Sequence, residues 1–185
     1  VNFKDHSDYI FACAKIKVLE TKVLSRPDFM RLLELNSEQI PQYLVEHNYQ
    51  IHFTDSQKVD FKTLISTEWA NVVEFVCTLL KNKELEEFIR LKYDFFNLKV
   101  LIKNSLKNEK DREPLLLFKI GNISTEEITS KYEDEKYDML PEYSFEALKE
   151  FNKEIESKSP STVDLIIDKV MYEKIFEYAN KLKFD

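Results

Sequence analysis

Apolar residues recur at steps of three and four along most of this 185-residue sequence. That spacing places them on one face of a helix, so it predicts amphipathic helices rather than strands. Alternating apolar and polar runs joined by hairpin dipeptides, which would indicate a sheet, are missing from the sequence. We therefore predict an all-α fold of bundled amphipathic helices. The first apolar stripe consists of Tyr9, Ala12, Ile16, Leu19 and Val23.

Short helices are predicted from residues that favour helix N-termini. Ser25, followed by Pro27, is expected to cap one helix, and Ser37 a second helix that ends near His47. A third begins at Ser124 or Thr125, so that the polar side chain can accept a hydrogen bond from the first turn. A further helix carries Phe145, Leu148, Phe151 and Ile155.

Two long helices are predicted over about 60–81 and 83–107, with a tight turn or a kink at Asn82. The second has apolar residues on a widened stripe, so we expect it to be packed on two sides. The stripe of the first long helix consists of Phe61, Ile65, Trp69, Val72, Val76 and Leu79. The last helix of the chain presents Ile167, Met171, Ile175, Tyr178 and Leu182.

The connectors are of three kinds. Tyr49, Ile51 and Phe53 alternate and predict a short extended piece. Residues 108–114 form a charged hinge, and residues 133–141 form an acidic surface loop.

Glycine content and charge exclude several classes of function. Gly121 is the only glycine, so the chain has neither a P-loop nor the usual dinucleotide fingerprint, which need several glycines. Residues 1–107 carry 15 acidic and 15 basic side chains, whereas residues 108–185 carry 19 and 12. The acidic excess argues against nucleic-acid binding and permits a basic protein partner. No apolar run approaches the roughly eighteen residues that span a bilayer, and no signal-peptide pattern is present.

The sequence predicts no catalytic, cofactor-binding or metal-binding residue. His6, His47 and His52 do not fall in a metal-ligand spacing. Cys13 and Cys77 lie in apolar helical stretches and are predicted to be small buried side chains. The fourteen Phe and nine Tyr residues could form a stacking surface for single-stranded nucleic acid, but most fall on the apolar stripes, which favours core packing.

Asp94 and Asn97 are the unexpected polar residues, because they lie three positions apart in the most apolar helix. Short polar side chains disfavour a helix interior, so another interaction must stabilise them. We predict a helix-to-helix hydrogen bond that fixes the packing register. A role in binding a partner is the alternative.

Four segments resemble, in order and spacing, the V-type ATPase C/AC39 subunit family. Residues 91–102 (LKYDFFNLKVLI) resemble its Y-D-x-x-N-x-K-x-L element, and residues 8–20 (DYIFACAKIKVLE) resemble its opening helix. Residues 29–33 and 43–49 also fit. The resemblance covers residues 8–103 well. Beyond them it consists of helical character and a last helix that resembles the start of the next family repeat.

The chain departs from the family in two ways. Cys13 and Lys15 stand where the family has a small residue and an arginine. The family subunit is also longer, with three similar helical modules, so the resemblance implies either a truncated form or a short variant. We expect residues 1–107 to form a first helical module and residues 108–185 a second, acidic and incomplete one.

The resemblance implies a function that the residues alone do not show. Members of this family, from bacterial and archaeal enzymes and with similar eukaryotic counterparts, are helical funnels on the cytoplasmic face of the membrane rotor ring. They receive the foot of the central stalk and carry no catalytic residue or cofactor. The chain is thus expected to be a peripheral connector between central-stalk subunits and the rotor ring, supporting ion transport coupled to ATP hydrolysis or synthesis. Nucleic acid, small-molecule substrates and a membrane span are not expected.

Two alternatives stay open. One is a free-standing helical protein–protein interaction adaptor, although the fixed repeat of small residues typical of tetratricopeptide-like adaptors is missing. The other is an all-α enzyme that uses a buried Asp or Cys. A solvent-accessible cleft with convergent polar groups at Asp94 would favour the enzyme.

Overall fold

The computed structural model describes residues 9–49, 61–108, 110, 117–153 and 159–182. These residues form eight α-helices and no strand, which confirms the all-α prediction. They divide into two compact units, called here the first unit and the second unit, with the division between Lys81 and Asn82. The predicted boundary after residue 107 separates two modules of the family repeat and not two compact units, so this division does not test it and it stays a prediction.

Four helices occur among the described residues of the first unit. Ser25 is the N-cap of the second helix and Pro27 lies in its first turn, as predicted. The helices are α1 (Ile10–Glu20), α2 (Arg26–Glu34), α3 (Gln39–Glu46) and α4 (Phe61–Leu79).

The start of α3 differs from the prediction that Ser37 caps it. Instead, the carboxamide oxygen of Asn36 accepts hydrogen bonds from the backbone N–H groups of Glu38 and Gln39, each at 3.0 Å. Asn36 therefore satisfies the unpaired donors at this helix end. The helix ends next to His47, as expected.

The apolar stripes of the first unit are less buried than the sequence predicts. Of the predicted stripe on α1, Ala12 is buried, whereas Ile16, Leu19 and Val23 are exposed. Cys13 is also exposed, so its predicted burial is wrong, while Cys77 is buried as expected.

The predicted stripe of helix α4 is not the part of the helix that is buried. Phe61, Ile65, Trp69 and Val72, the first four residues of its predicted stripe, are exposed. Only three of its nineteen residues are charged, so apolar side chains occur around most of its circumference. Periodicity then no longer determines which face is buried. The buried residues of α4 are Leu64, Val73 and Cys77.

The described residues of the second unit include four helices and the 3₁₀ turn Tyr137–Met139. Asn82 is the N-cap of the first of these helices, which confirms a tight turn there: its side chain accepts from the backbone N–H of Glu84 at 2.9 Å. Ser124 caps the next helix by accepting from the N–H of Glu127 at 3.1 Å, as predicted. The elements are α5 (Lys83–Ser105), α6 (Thr125–Glu133), the 3₁₀ turn Tyr137–Met139, α7 (Glu142–Lys153) and α8 (Pro160–Leu182).

One continuous apolar core holds the second unit together. Helix α5 lies at its centre, and the buried faces of α7 and α8 pack against it, so the predicted stripe of the last helix is confirmed. Burying each large aliphatic side chain contributes about 1.5–3 kcal/mol. The buried core residues are Leu91, Phe95, Leu98, Leu101, Ile102, Ile123, Ile128, Leu140, Ala147, Leu148, Phe151, Val163, Ile167 and Val170.

Ion pairs add to the apolar contact between α5 and α8. Lys99 Nζ lies 2.7 Å from Asp168 Oδ1, and Lys103 Nζ lies 2.6 Å from Asp164 Oδ1. The two lysines lie one helical turn apart on α5, and the two aspartates lie one helical turn apart on α8. The pairs therefore align the two helices in one register.

Some predictions fall on residues outside the described ranges. These are the extended piece at Ile51 and Phe53, most of the charged hinge after residue 107, and the side chains of His6, His52 and Ile155. The acidic loop 133–141 is described, and it contains the 3₁₀ turn.

Candidate functional site

Asp94 and Asn97 lie on the buried side of α5, and neither side chain is accessible to solvent. Their three-residue spacing directs both toward the segment that precedes α6, residues 117–124. A polar group buried to this degree is costly unless its hydrogen bonds are satisfied. The partners of these two residues therefore decide what the site does.

The carboxylate of Asp94 accepts four hydrogen bonds. Its Oδ2 accepts from the backbone N–H and the side-chain Nδ2 of Asn122, both at 3.0 Å, and from the Tyr143 hydroxyl at 2.9 Å. Its Oδ1 accepts from the backbone N–H of Ile123 at 3.1 Å. All four groups are donors, and none is a cation. The site thus stabilises a carboxylate by hydrogen bonding alone.

Asn97 holds the same segment one turn further along α5. Its Nδ2 donates to the carbonyl oxygen of Phe118, and its Oδ1 accepts from the Phe118 N–H, both at 2.8 Å. The Phe118 ring packs edge-on against Phe96, with ring centroids 4.8 Å apart. The carboxamide therefore satisfies both backbone groups of one residue, which neither Asp nor Leu could do.

Gly121 lies in the segment that Asp94 and Asn97 hold. A Cβ atom built at this position would be 2.1 Å from Asp94 Oδ1 and 3.1 Å from Asp94 Cγ. Real side chains do not approach so closely, so the backbone can reach the carboxylate only because residue 121 has no side chain. The sole glycine of the chain is explained by this contact.

Burial raises the pKa values of both ionisable groups of the cluster. Burial raises the pKa of the Asp94 carboxyl above its usual value of 3.8, and the hydrogen bonds it accepts partly offset this. Burial and the charge of Asp94 both raise the pKa of the Tyr143 phenol, so Tyr143 stays a protonated donor. A tyrosine in that state does not serve as a general base.

The predicted register role for Asp94 and Asn97 needs a correction in its geometry. Tyr143, from α7, supplies one helix-to-helix hydrogen bond, but the other partners are groups of a loop, most of them backbone N–H groups. The loop offers unpaired N–H groups, whereas helix interiors use theirs internally. Asp94 and Asn97 therefore fix a loop on α5 and, through Tyr143, fix α7 as well.

A cavity of about 380 Å³ lies beside this cluster. Asn122, Gly121 and Tyr143 contribute to its wall, but Asp94 does not line it. Arg90 lies in the wall with its Nε 3.0 Å from Glu86 Oε1, and Arg90 also donates to the Ile120 carbonyl oxygen at 3.3 Å. The cavity thus offers no exposed carboxylate from the buried cluster to a substrate.

Histidine, cysteine and carboxylate groups do not assemble elsewhere into a reactive site within the described ranges. Over those ranges, no group of three or more potential ligands could hold a metal ion. His47 Nδ1 donates a hydrogen bond to the Tyr43 carbonyl oxygen at 2.8 Å, and its Nε2 lies 3.7 Å from Asp28 Oδ1. Likewise, no described helix is both long and apolar enough to cross a membrane.

Sequence reasoning identified Asp94 and Asn97 but missed Gly121, Asn122 and Tyr143 as their partners. The signal for Gly121 was present, since a single glycine in 185 residues marks a close backbone approach. No local pattern indicates Asn122 or Tyr143, which lie 28 and 49 residues from Asp94.

Comparison with known proteins gives one family. The family described as ATP synthase (C/AC39) subunit matches residues 12–185, almost the whole chain. No curated protein and no solved structure matches the chain. The matched range includes the entire buried cluster and all the helices of the second unit. The chain therefore belongs to the ATP synthase (C/AC39) subunit family.

Proposed function

We propose that this chain is a non-catalytic central-stalk connector of a rotary V-type ATPase or ATP synthase. In this role it links the stalk to the membrane rotor ring, on the cytoplasmic side, so that ion transport is coupled to ATP hydrolysis or synthesis. The observation that carries the proposal is the family match over residues 12–185. The all-helical architecture is compatible with a part that transmits force between other proteins of the complex.

The buried cluster supports a mechanical rather than a chemical role. Asp94 is the most unusual ionisable group of the second unit, yet its oxygens are occupied by four donors from the protein itself. Such an arrangement stabilises one conformation of a loop and two helices. A connector requires that kind of rigidity, because a compliant linker would lose the torque that it carries.

Reconstitution tests the connector role. Membranes that contain the ATPase complex but lack this chain are expected to hydrolyse ATP without transporting ions. Adding the purified chain should restore ATP-driven ion transport, measured with a pH- or ion-sensitive dye. The control is the chain with the Gly121→Ala substitution, which is expected to disturb the buried cluster. Hydrolysis of ATP by the purified chain alone, or full coupling without it, would contradict the proposal.

A pull-down provides a second measurement. The tagged chain, incubated with detergent-solubilised membranes, should retain stalk and rotor-ring proteins of the complex. Retention of unrelated proteins in place of those would favour the alternative, a free-standing interaction adaptor.

A further inference from the structure

The region from the end of α6 into the first turns of α7 exposes two large apolar side chains. Met139, at the end of the 3₁₀ turn, is 59% exposed, and Phe145, in α7, is 38% exposed. Leu140, between them, is buried in the core and anchors the segment. We call the exposed side of residues 133–146 the α6–α7 face. Methionine and phenylalanine are enriched where proteins bind one another.

Acidic side chains outnumber basic ones around these apolar residues, although Lys131 lies beside Met139 and Lys149 lies one helical turn after Phe145. Residues 133–146 include six acidic side chains and one basic side chain, Lys136. Lys136 is itself paired with Asp134 at 2.8 Å. Among the described residues, the carboxylates of Glu135, Asp138 and Glu142 form no ion pair. Glu142 lies three residues before Phe145, on the same side of α7, so an acidic group borders the apolar surface.

Several contacts hold this face in one conformation. Lys131, from α6, donates to the Met139 carbonyl oxygen at 2.6 Å. The rings of Tyr132 and Tyr137 lie 5.7 Å apart, centroid to centroid. On the far side, Glu146 pairs with Lys174 of α8 at 2.9 Å. A surface that is already ordered loses little entropy when a partner binds.

The chemistry of the face excludes most classes of partner. Nucleic acid and the anionic surface of a membrane would both be repelled by the carboxylates. A bound metal would need converging ligands, and no such group occurs among the residues that the structure describes. A protein segment with apolar and basic side chains fits both features, because it would cover Met139 and Phe145 and pair with the carboxylates around them.

We propose that the α6–α7 face binds a basic amphipathic helix of a partner protein, with Met139 and Phe145 against its apolar side and Glu135, Asp138 and Glu142 against its lysines or arginines. The face would bind such a segment whether or not the chain acts as a connector. The exposed stripe on α8, formed by Leu165, Tyr172 and Phe176, has both Lys169 and Glu173 beside it. These two residues give no acidic excess beside the α8 stripe, so the stripe serves as a control.

Binding of designed peptides to the full chain tests the proposal. The probe is an 18-residue helical peptide of leucine and lysine with the leucines on one face, labelled for fluorescence anisotropy. Two matched peptides accompany it, one with every lysine replaced by glutamate and one of the same composition in scrambled order. The amphipathic basic peptide should bind saturably, with an affinity that falls about tenfold between roughly 20 and 200 mM salt.

Substitutions locate the binding surface. Met139→Ser combined with Phe145→Ser should weaken binding of the basic peptide about tenfold or more, since apolar anchors dominate interface energies. The charge variant Asp138→Asn with Glu142→Gln removes no core group and should reduce both the affinity and its salt dependence. The control variant Leu165→Ser with Phe176→Ser, equally apolar but on α8, should bind within about twofold of the wild type.

The other outcomes overturn the proposal. The proposal is wrong if the basic peptide does not bind saturably, or if the glutamate or scrambled peptide binds equally well. It is also wrong if the charge variant binds the basic peptide with wild-type affinity. If the α8 control variant loses as much affinity as the variant at Met139 and Phe145, the peptide binds exposed apolar surface in general and not the α6–α7 face. Circular dichroism of each variant shows whether a loss of binding is caused by a loss of folding. If Phe145→Ser alters the helix content, the charge variant alone tests whether the α6–α7 face binds the peptide.

Discussion

The Gly121 backbone lies so close to Asp94 that a Cβ atom at position 121 would be 2.1 Å from Asp94 Oδ1. The carboxylate is held by four hydrogen bonds, and the glycine backbone lies against it. Overpacking a site of this kind costs about 1–3 kcal/mol. We expect Gly121→Ala to lower the free energy of unfolding by that amount, as measured by urea denaturation.

A double-mutant cycle distinguishes the clash from a general effect of position 121. Asp94→Ala alone should lower stability by about 2–3 kcal/mol, because it leaves buried N–H donors without an acceptor. Once the carboxylate is removed, the added methyl group of Gly121→Ala has space, so the double variant should lose less than the sum of the two single losses. Additive losses, or an unchanged melting temperature in Asp94→Ala, would contradict the structural role of the cluster.

The stability of the first unit depends on pH through the carboxylate of Asp28. Its carboxylate accepts hydrogen bonds from the side chain and the backbone N–H of Ser25 and from the Tyr43 hydroxyl, and these lower its pKa from 3.8 to about 2. Because the folded protein binds this proton more weakly than the unfolded chain, the carboxylate contributes stability above pH 3.8. That contribution is lost as the pH falls through about 2.

The Asp28→Asn variant measures this contribution. The difference in melting temperature between the wild type and Asp28→Asn should be largest near pH 5 and should shrink toward pH 2. Asp138→Asn, at an exposed carboxylate without an ion pair among the described residues, serves as the control and should show no such trend. A constant difference between pH 5 and pH 2 would show that charge on Asp28 is not what stabilises the contact between α2 and α3.

At the level of residues, sequence reasoning finds the buried polar groups but not their partners. Asp94 and Asn97 stand out because a short polar side chain inside an apolar helix needs compensation. Their partners are mainly backbone N–H and C=O groups, which almost every residue possesses. Since such groups leave no trace in the sequence, the segment from Phe118 to Ile123 could not be assigned to Asp94 and Asn97 in advance.

Two helices end in the same backbone motif but with different residues. At the end of α3, Asn48 has φ 68° and the Tyr49 N–H donates to the Leu44 carbonyl oxygen at 3.0 Å. At the end of α6, Glu135 has φ 56° and the Lys136 N–H donates to the Lys131 carbonyl oxygen at 2.9 Å. Both are Schellman motifs, in which glycine is usual and asparagine is tolerated. Glutamate in this conformation is strained.

We expect Glu135→Gly to stabilise the protein by about 0.5–1 kcal/mol, because glycine adopts a positive φ without the strain of a Cβ atom. Asn48→Gly is the matched control, and its effect should lie within about 0.5 kcal/mol of zero. Urea denaturation of the two variants makes the comparison. A loss of stability in Glu135→Gly would show that the Glu135 side chain makes a favourable interaction that outweighs the strain.

At the level of elements, the spacing of apolar residues predicts helices well and buried faces less well. For α5 the predicted stripe is mostly buried. On α8 the predicted stripe is buried or half-buried, although Leu165, Tyr172 and Phe176 expose apolar side chains on another side of the helix. For α4 the predicted stripe is mostly exposed, because its apolar residues cover a wide arc and do not specify which part of it is buried.

The two units differ in how much apolar surface they bury. Fourteen residues form the continuous core of the second unit. Among the described residues of the first unit, the buried apolar side chains are fewer and are spread over α1, α3 and α4: Ala12, Tyr43, Leu44, Leu64, Val73 and Cys77. Local stability follows the density of buried contacts. The second unit is therefore the more stable part of the molecule.

Hydrogen exchange should reveal this difference directly. In the isolated chain, backbone amides at the centres of α5, α7 and α8 should exchange about a hundredfold or more slowly than those of α1 and α2. Mass spectrometry of peptides from a single exchange experiment provides both measurements, so each unit is the control for the other. Equal protection in the two units would contradict the difference in burial.

The unequal burial of the two cysteines makes the chain suitable for site-selective labelling. Cys13 is exposed on α1, while Cys77 is buried in α4, and the sequence has no other thiol. A maleimide dye should therefore modify the native protein at one position only, because alkylation requires access to the sulfur. A fluorophore placed there would report on the surroundings of α1 without any substitution in the chain.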